Sequence, residues 1–165
     1  MAQTKLGENT VNTISDLPAI GSTAPSFVLT GNDMRAVASE SFAGKKIVLN
    51  IFPSVDTGTC ATSVREFNKR IASYPNAVVL CISKDLPFAM KRFCGVEGIA
   101  NAITLSDFRG NGFGKDFGAE LADGNFKGLF ARAVVVIDET GKVKHTQLVP
   151  QIGIEPDYDS ALKAL

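Results

Sequence analysis

An α/β domain with a mixed sheet is the fold class this sequence predicts, and three observations carry the prediction. Two long apolar runs, Lys46–Phe52 and Ala77–Ser83, are each followed by a stretch with helical spacing. A shorter run, Ile103–Leu105, continues the alternation of strand and helix that marks parallel pairing. The last third closes with two apolar runs around Asp138-Glu139-Thr140-Gly141-Lys142, a hairpin signal that adds antiparallel strands. The chain has 165 residues, 45% of them hydrophobic. That suits one domain over residues 1–165 with a sizeable core, and no linker or repeat divides it.

Taken in order, the first forty residues predict β structure with turns. Thr10–Ile14 alternates polar and apolar residues, Gly21–Pro25 is a loop, and Phe27–Leu29 is a short strand. The run Lys46–Phe52 is apolar enough for a buried central strand, and Pro53 ends it. From Cys60 to Ser73 the pattern turns helical, with Val64, Phe67 and Ile71 on one face and Arg65, Glu66, Lys69 and Arg70 on the other. Asn76 precedes the second buried strand. Asp85-Leu86-Pro87 predicts a helix start, with Asp85 as cap and proline in the first turn, and the helix Phe88–Cys94 should stop at Gly95. Gly110–Lys115 lacks the spacing of a phosphate loop and predicts a loop entering a helix. Ala131–Ile137 and Val143–Val149 form the hairpin strands, and Asp157–Leu165 forms a terminal helix.

The charge balance narrows the function classes. Seventeen basic residues face seventeen acidic ones, for a net charge of zero. Nucleic-acid or anionic-membrane binding would then need a local basic patch, and the basic pairs are short and isolated. No apolar run has the length of a membrane span, and Met1–Gly7 has no secretory apolar stretch. A soluble, cytoplasmic protein is the expectation. The three cysteines, Cys60, Cys81 and Cys94, are too few and too scattered for a secreted disulfide scaffold. A zinc site would require all three to converge with His145, so no metal is expected. Core thiols, a catalytic thiol, or a mixture of the two remain.

The segment Pro53-Ser54-Val55-Asp56-Thr57-Gly58-Thr59-Cys60 leaves a buried strand and enters a helix with Cys60 in its first turn. Amides there lack intrahelical acceptors and carry positive partial charge, and such a position favours a thiolate. Thr57 can place a hydroxyl beside the sulfur. The plain alternative, that Cys60 only packs as a small apolar residue, fits this context less well. Arg132 opens the strand Ala133–Ile137. If that strand runs antiparallel to Ile47–Phe52, Arg132 falls near Cys60; otherwise it is a solvent arginine on an edge. Cys81, between Leu80 and Ile82, reads as a buried, inert thiol. A protease-like pairing of Cys60 with His145 is disfavoured, because His145 sits among Lys142 and Lys144 in a strand expected to face solvent. Phe88 and Phe93 could belong to a partner surface or, like most phenylalanines, to the core.

Pro53, Thr57 and Cys60 fit the peroxiredoxin signature: proline, three residues, threonine, two residues, cysteine. The variant Phe52–Thr57 resembles the thiol peroxidase subgroup, the atypical two-cysteine peroxiredoxins. Gly21–Phe27, Ser83–Ala89, Arg92-Phe93-Cys94-Gly95 and Gly128–Ala133 agree, so the resemblance spans nearly the whole chain. Gly58 departs from it, standing where this subgroup more often has proline. The resemblance implies a thioredoxin-like fold with an N-terminal β-hairpin, reduction of hydroperoxides without a cofactor, thioredoxin as reductant, and a homodimer. It implies that Cys60 is the peroxidatic cysteine, that Pro53, Thr57 and Arg132 complete the substrate site, and that Cys94 is the resolving cysteine. Cys94 would lie on the order of 10 Å from the first turn of its own helix, whereas a disulfide needs Cα atoms within about 7 Å. Local unwinding of the two helices is therefore expected. Two other classes stand against the enzyme. One is a redox-sensing module using the same cysteines; the other is a disulfide oxidoreductase, for which the chain lacks a Cys-x-x-Cys pair.

Overall fold

The computed structural model describes residues 1–165. A seven-stranded mixed sheet forms its centre, in the order β4-β3-β7-β6-β5-β8-β9. The strands are β3 (Val28–Thr30), β4 (Ala36–Ala38), β5 (Lys46–Ile51), β6 (Ala77–Ser83), β7 (Ala102–Ser106), β8 (Ala133–Ile137) and β9 (Val143–Leu148). Strands β5, β6 and β7 are parallel, joined by helices α1 (Gly58–Ile71) and α2 (Pro87–Glu97); β3 and β8 flank them antiparallel, and β4 and β9 pair antiparallel with β3 and β8 at the two edges. The three parallel strands are almost wholly buried because both faces are covered. On one face Val64, Phe67 and Ile71 of α1 pack with Val48, Val79, Val134 and the terminal helix α4 (Tyr158–Lys163). Each such side chain contributes about 1.5–3 kcal/mol. On the other face Phe27, Leu49, Leu80 and Ile82 meet Phe113, Phe117 and Phe130, which flank and include the short helix α3 (Phe113–Asp116).

A separate antiparallel hairpin, β1 (Gln3–Leu6) with β2 (Asn9–Asn12), precedes the sheet. Its first strand was invisible to the pattern, since Gln3-Thr4-Lys5 is polar. The second is shorter than the expected Thr10–Ile14, and Ile14 lies outside it, partly exposed. This hairpin braces the far end of the chain. Lys5 donates its amide to the Pro150 carbonyl and accepts from the Ile152 amide, while the buried Thr4 hydroxyl donates to the Val149 carbonyl.

Two expectations about α2 are corrected. The helix continues past Gly95 to Glu97 and is capped by Gly98 at φ 65°, a left-handed conformation that glycine adopts without strain. Of two nearby glycines, the backbone geometry selects the second. Asp85 does not cap the helix either; Leu86 occupies that position, with Pro87 opening the first turn. The carboxylate of Asp85 is used elsewhere.

Candidate active site

The loops after β5 and β6 leave the same edge of the sheet, the carboxyl edge where α/β sheets place ligands. Residues 52–57 connect β5 to α1, and Cys60 is the third residue of that helix. The first intrahelical hydrogen bond runs from the Ala61 amide to the Thr57 carbonyl (3.0 Å), so the amides of Gly58, Thr59 and Cys60 have no acceptor within the helix. Pro53 is buried at the base of the loop. Thr57 is half-buried and donates its hydroxyl to the Ser54 carbonyl (3.2 Å). With its proton committed there, the oxygen retains lone pairs that can accept a hydrogen bond.

Strand β8 runs antiparallel to β5, with Ile51 opposite Ala133, so Arg132 lies beside Phe52 at the entrance of the loop. The guanidinium is buried, with 1% exposure. Its Nη2 donates to the Cys60 sulfur at 3.2 Å and its Nε to the Ile152 carbonyl at 2.8 Å, while Nη1 has no partner. None of the ion pairs of the structure includes Arg132. A buried cation without a carboxylate costs several kcal/mol unless another anion is at hand. The only acidic group at hydrogen-bond distance is the Cys60 thiol, itself without exposed surface. The geometry therefore favours the ion pair of thiolate and guanidinium. The solvent-arginine alternative for Arg132 is excluded.

Several residues that sequence patterns did not single out hold this pair in place. Asp85 accepts from the Ser54 hydroxyl (2.7 Å), the Val55 amide (2.9 Å) and the Ser83 hydroxyl, clamping the loop before Cys60 to the end of β6. Thr59 donates to the Gly153 carbonyl (3.0 Å), so the segment braced by the N-terminal hairpin touches both Arg132 and the start of α1. The one available signal was an aspartate next to a helix start, which read as a cap.

Cys94 lies in the second half of α2, against the same hydrophobic face as Cys60. Its sulfur contacts the Thr104 and Asn32 side chains, and no bond joins it to Cys60. Between the helices is a groove of about 250 Å³ lined by Thr57, Ala61 and Arg65 on one side and Arg92, Phe93 and Val96 on the other. Two ion pairs span it, Arg65–Glu97 (2.7 Å) and Arg92–Asp56 (3.3 Å). Phe93 is buried, whereas Phe88 is 65% exposed. Cys81 is wholly buried in mid-sheet, and burial pushes its thiol up to about 12, which keeps it protonated and inert. His145 is less exposed than its neighbours suggested. Its Nε2 is buried without a partner, and burial lowers its basicity. It pairs with Val136, three rungs from the Ala133 end of β8 where Arg132 sits, so it forms no dyad with Cys60.

Gly58 opens α1, its φ is not left-handed, and a Cβ there would meet nothing within 4 Å. Thr57 before it is extended (φ −99°, ψ 145°), the conformation a following proline requires. Gly58→Pro is expected to raise stability by about 0.4–1 kcal/mol through the unfolded state, seen as a higher denaturant midpoint with unchanged m. A lower midpoint would show that the loop conformation is misassigned.

Comparison with known proteins identifies the family and the fold. The Redoxin family model matches residues 19–162. The chain is 56% identical to the thiol peroxidase of Mycobacterium tuberculosis H37Rv and 54% identical to that of Corynebacterium glutamicum, in each case over 100% of this chain and 99% of the relative. Among solved structures, a peroxiredoxin-like protein from Aquifex aeolicus superposes with a TM-score of 0.93 at 35% identity, covering 99% of this chain and 96% of that one. The expected thioredoxin-like architecture, with its mixed sheet, flanking helices and N-terminal hairpin, is thereby established. The chain belongs to the Redoxin family and, within it, to the thiol peroxidases, peroxiredoxin enzymes that reduce peroxides with a thiol.

Proposed function

We propose that residues 1–165 act as one catalytic domain that reduces hydrogen peroxide and organic hydroperoxides through Cys60, with Cys94 as resolving thiol and thioredoxin as reductant. The observation that carries this reading is the buried, otherwise uncompensated Arg132 guanidinium 3.2 Å from the Cys60 sulfur. The thiolate attacks one peroxide oxygen, the O–O bond breaks, and the leaving oxygen departs as water or alcohol after taking a proton. Cys60 is left as a sulfenic acid. Negative charge develops on the leaving oxygen, and the free Nη1–H of Arg132 is a fixed donor for it. The Thr57 oxygen accepts from the peroxide O–H, and Pro53 with the Asp85 clamp sets the loop. Because Cys60 has no exposed surface, this loop must open slightly to admit even a small peroxide.

In the second step the Cys94 sulfur attacks the sulfenic sulfur, the Cys60–Cys94 bond forms, and water leaves with the thiol proton. Thioredoxin restores both thiols by exchange. Reaching Cys60 requires Cys94 to leave Thr104 and Asn32, and requires the ion pairs across the groove to part. The exposed Phe88 and Leu86 at the start of α2 suit a homodimer contact. Redox cycling of free thiols suits the cytoplasm and antioxidant defence.

The reading is tested by adding peroxide in large molar excess together with thioredoxin, its reductase and a nicotinamide reductant. Sustained consumption over many equivalents per protein is expected. Consumption of one equivalent and no more would instead mean a sensor.

A further inference from the structure

The surroundings of Cys94 form a closed ring. The Thr104 hydroxyl lies 2.9 Å from the Asn32 Oδ1 and donates to it. That hydroxyl has one proton, so in the 3.4 Å contact between Thr104 Oγ1 and the Cys94 sulfur the sulfur must be the donor. The Asn32 amide in turn donates to the sulfur at 3.9 Å. Each of the three side chains gives one hydrogen bond and receives one. Thr104 is 2% exposed, on β7, and Asn32 stands in the turn between β3 and β4, so the ring ties α2 to two fixed elements. The backbone adds to this, since the Cys94 carbonyl accepts the capping amides of Gly98 and Ile99.

We propose that Asn32 and Thr104 are positioning residues that latch Cys94 as a thiol and set the rate of the resolving step. A thiolate has no proton to give Thr104, so the ring as arranged holds only the protonated form. That form is a poor nucleophile, which keeps Cys94 from reacting with peroxide itself. The bond-making step is the condensation of the Cys60 sulfenic acid with the Cys94 thiol, releasing water, and it begins when the ring opens. This inference rests on Cys94 being the resolving cysteine.

The test uses Thr104→Val, which keeps shape and removes the hydroxyl, and Asn32→Ala as a second variant at a half-buried turn. Reduced protein is mixed with rising peroxide, and mass spectrometry measures disulfide against Cys60 sulfinic acid. Losing the ring should speed disulfide formation about three- to tenfold, the scale of one or two net hydrogen bonds. The peroxide concentration giving half sulfinic acid should rise by the same factor. The rate of the first step, measured by rapid mixing, should be unchanged, and alkylation of Cys94 in the reduced protein should be faster. A general loosening of the fold would slow the first step as well. An unchanged or lower sulfinic threshold in both variants overturns the latch while leaving the resolving role intact. If wild-type protein forms no Cys60–Cys94 bond, the resolving role fails first and the latch with it.

Discussion

Replacing Cys60 by serine is expected to bring peroxide consumption down to the uncatalysed background in the thioredoxin-coupled assay. A serine hydroxyl is not ionised near neutral pH, and no base stands within reach to activate it. His145, the chain's single histidine, lies along β9 away from the site. The variant should fold, since the substitution is nearly isosteric and the new oxygen can still accept from Arg132 Nη2, but with a lower denaturant midpoint, because the buried guanidinium loses its one anionic partner. Circular dichroism and the denaturant midpoint check this. Turnover near the wild-type rate in folded Cys60→Ser would remove Cys60 from the chemistry and direct attention to Cys94.

Arg132→Met is the second large effect. Methionine matches the length of the arginine stem and removes the charge, the donor to the thiolate and the free Nη1–H together. Loss of a preorganised donor at a developing negative charge costs about 10²–10³-fold in rate, and the rate constant for Cys60 with peroxide should fall by at least that much at pH 7. Alkylation of Cys60 at the same pH should slow as well, since the thiolate loses its counter-ion. The fold should survive. An apolar side chain of similar volume often replaces a buried charge without loss, and the main penalty is the Ile152 carbonyl left without its donor, about 1–3 kcal/mol. Arg132→Lys should recover part of the rate by restoring charge without the fork that reaches Ile152 and Cys60 together. A rate within twofold of wild type in Arg132→Met would place the guanidinium outside the reaction.

The residues of the candidate site were legible to different degrees. The central strands and α1 announced themselves because apolar runs and three-to-four spacing are local patterns, set by which face must be buried. Arg132 became legible once β8 was paired antiparallel with β5, since register places its first neighbour beside the loop before Cys60. The polar strand β1 and the three-residue edge strand β4 carry no such pattern, one for want of apolar residues and the other for want of length, and their pairing partners supply what their own residues do not. The end of α2 was misplaced by one turn because Gly95 and Gly98 look alike in sequence, and the choice is made by which of them takes the left-handed conformation. Asp85, Asn32 and Thr104 act on residues far away in the chain or on another strand. Ordinary turn and strand residues in sequence, they acquire a role when the sheet edge brings Asp85 to the Ser54 loop and β7 brings Thr104 under Cys94.

The central claim is that one oxidised Cys60 closes onto Cys94 of the same chain. Reduced protein is given one equivalent of peroxide, quenched with an alkylating agent, digested without reductant and mapped by mass spectrometry. The account predicts a Cys60–Cys94 peptide pair from a monomer-sized chain, with Cys81 carrying the alkyl label after denaturation. A Cys60–Cys81 pair, or two Cys60 peptides joined between chains, would contradict it.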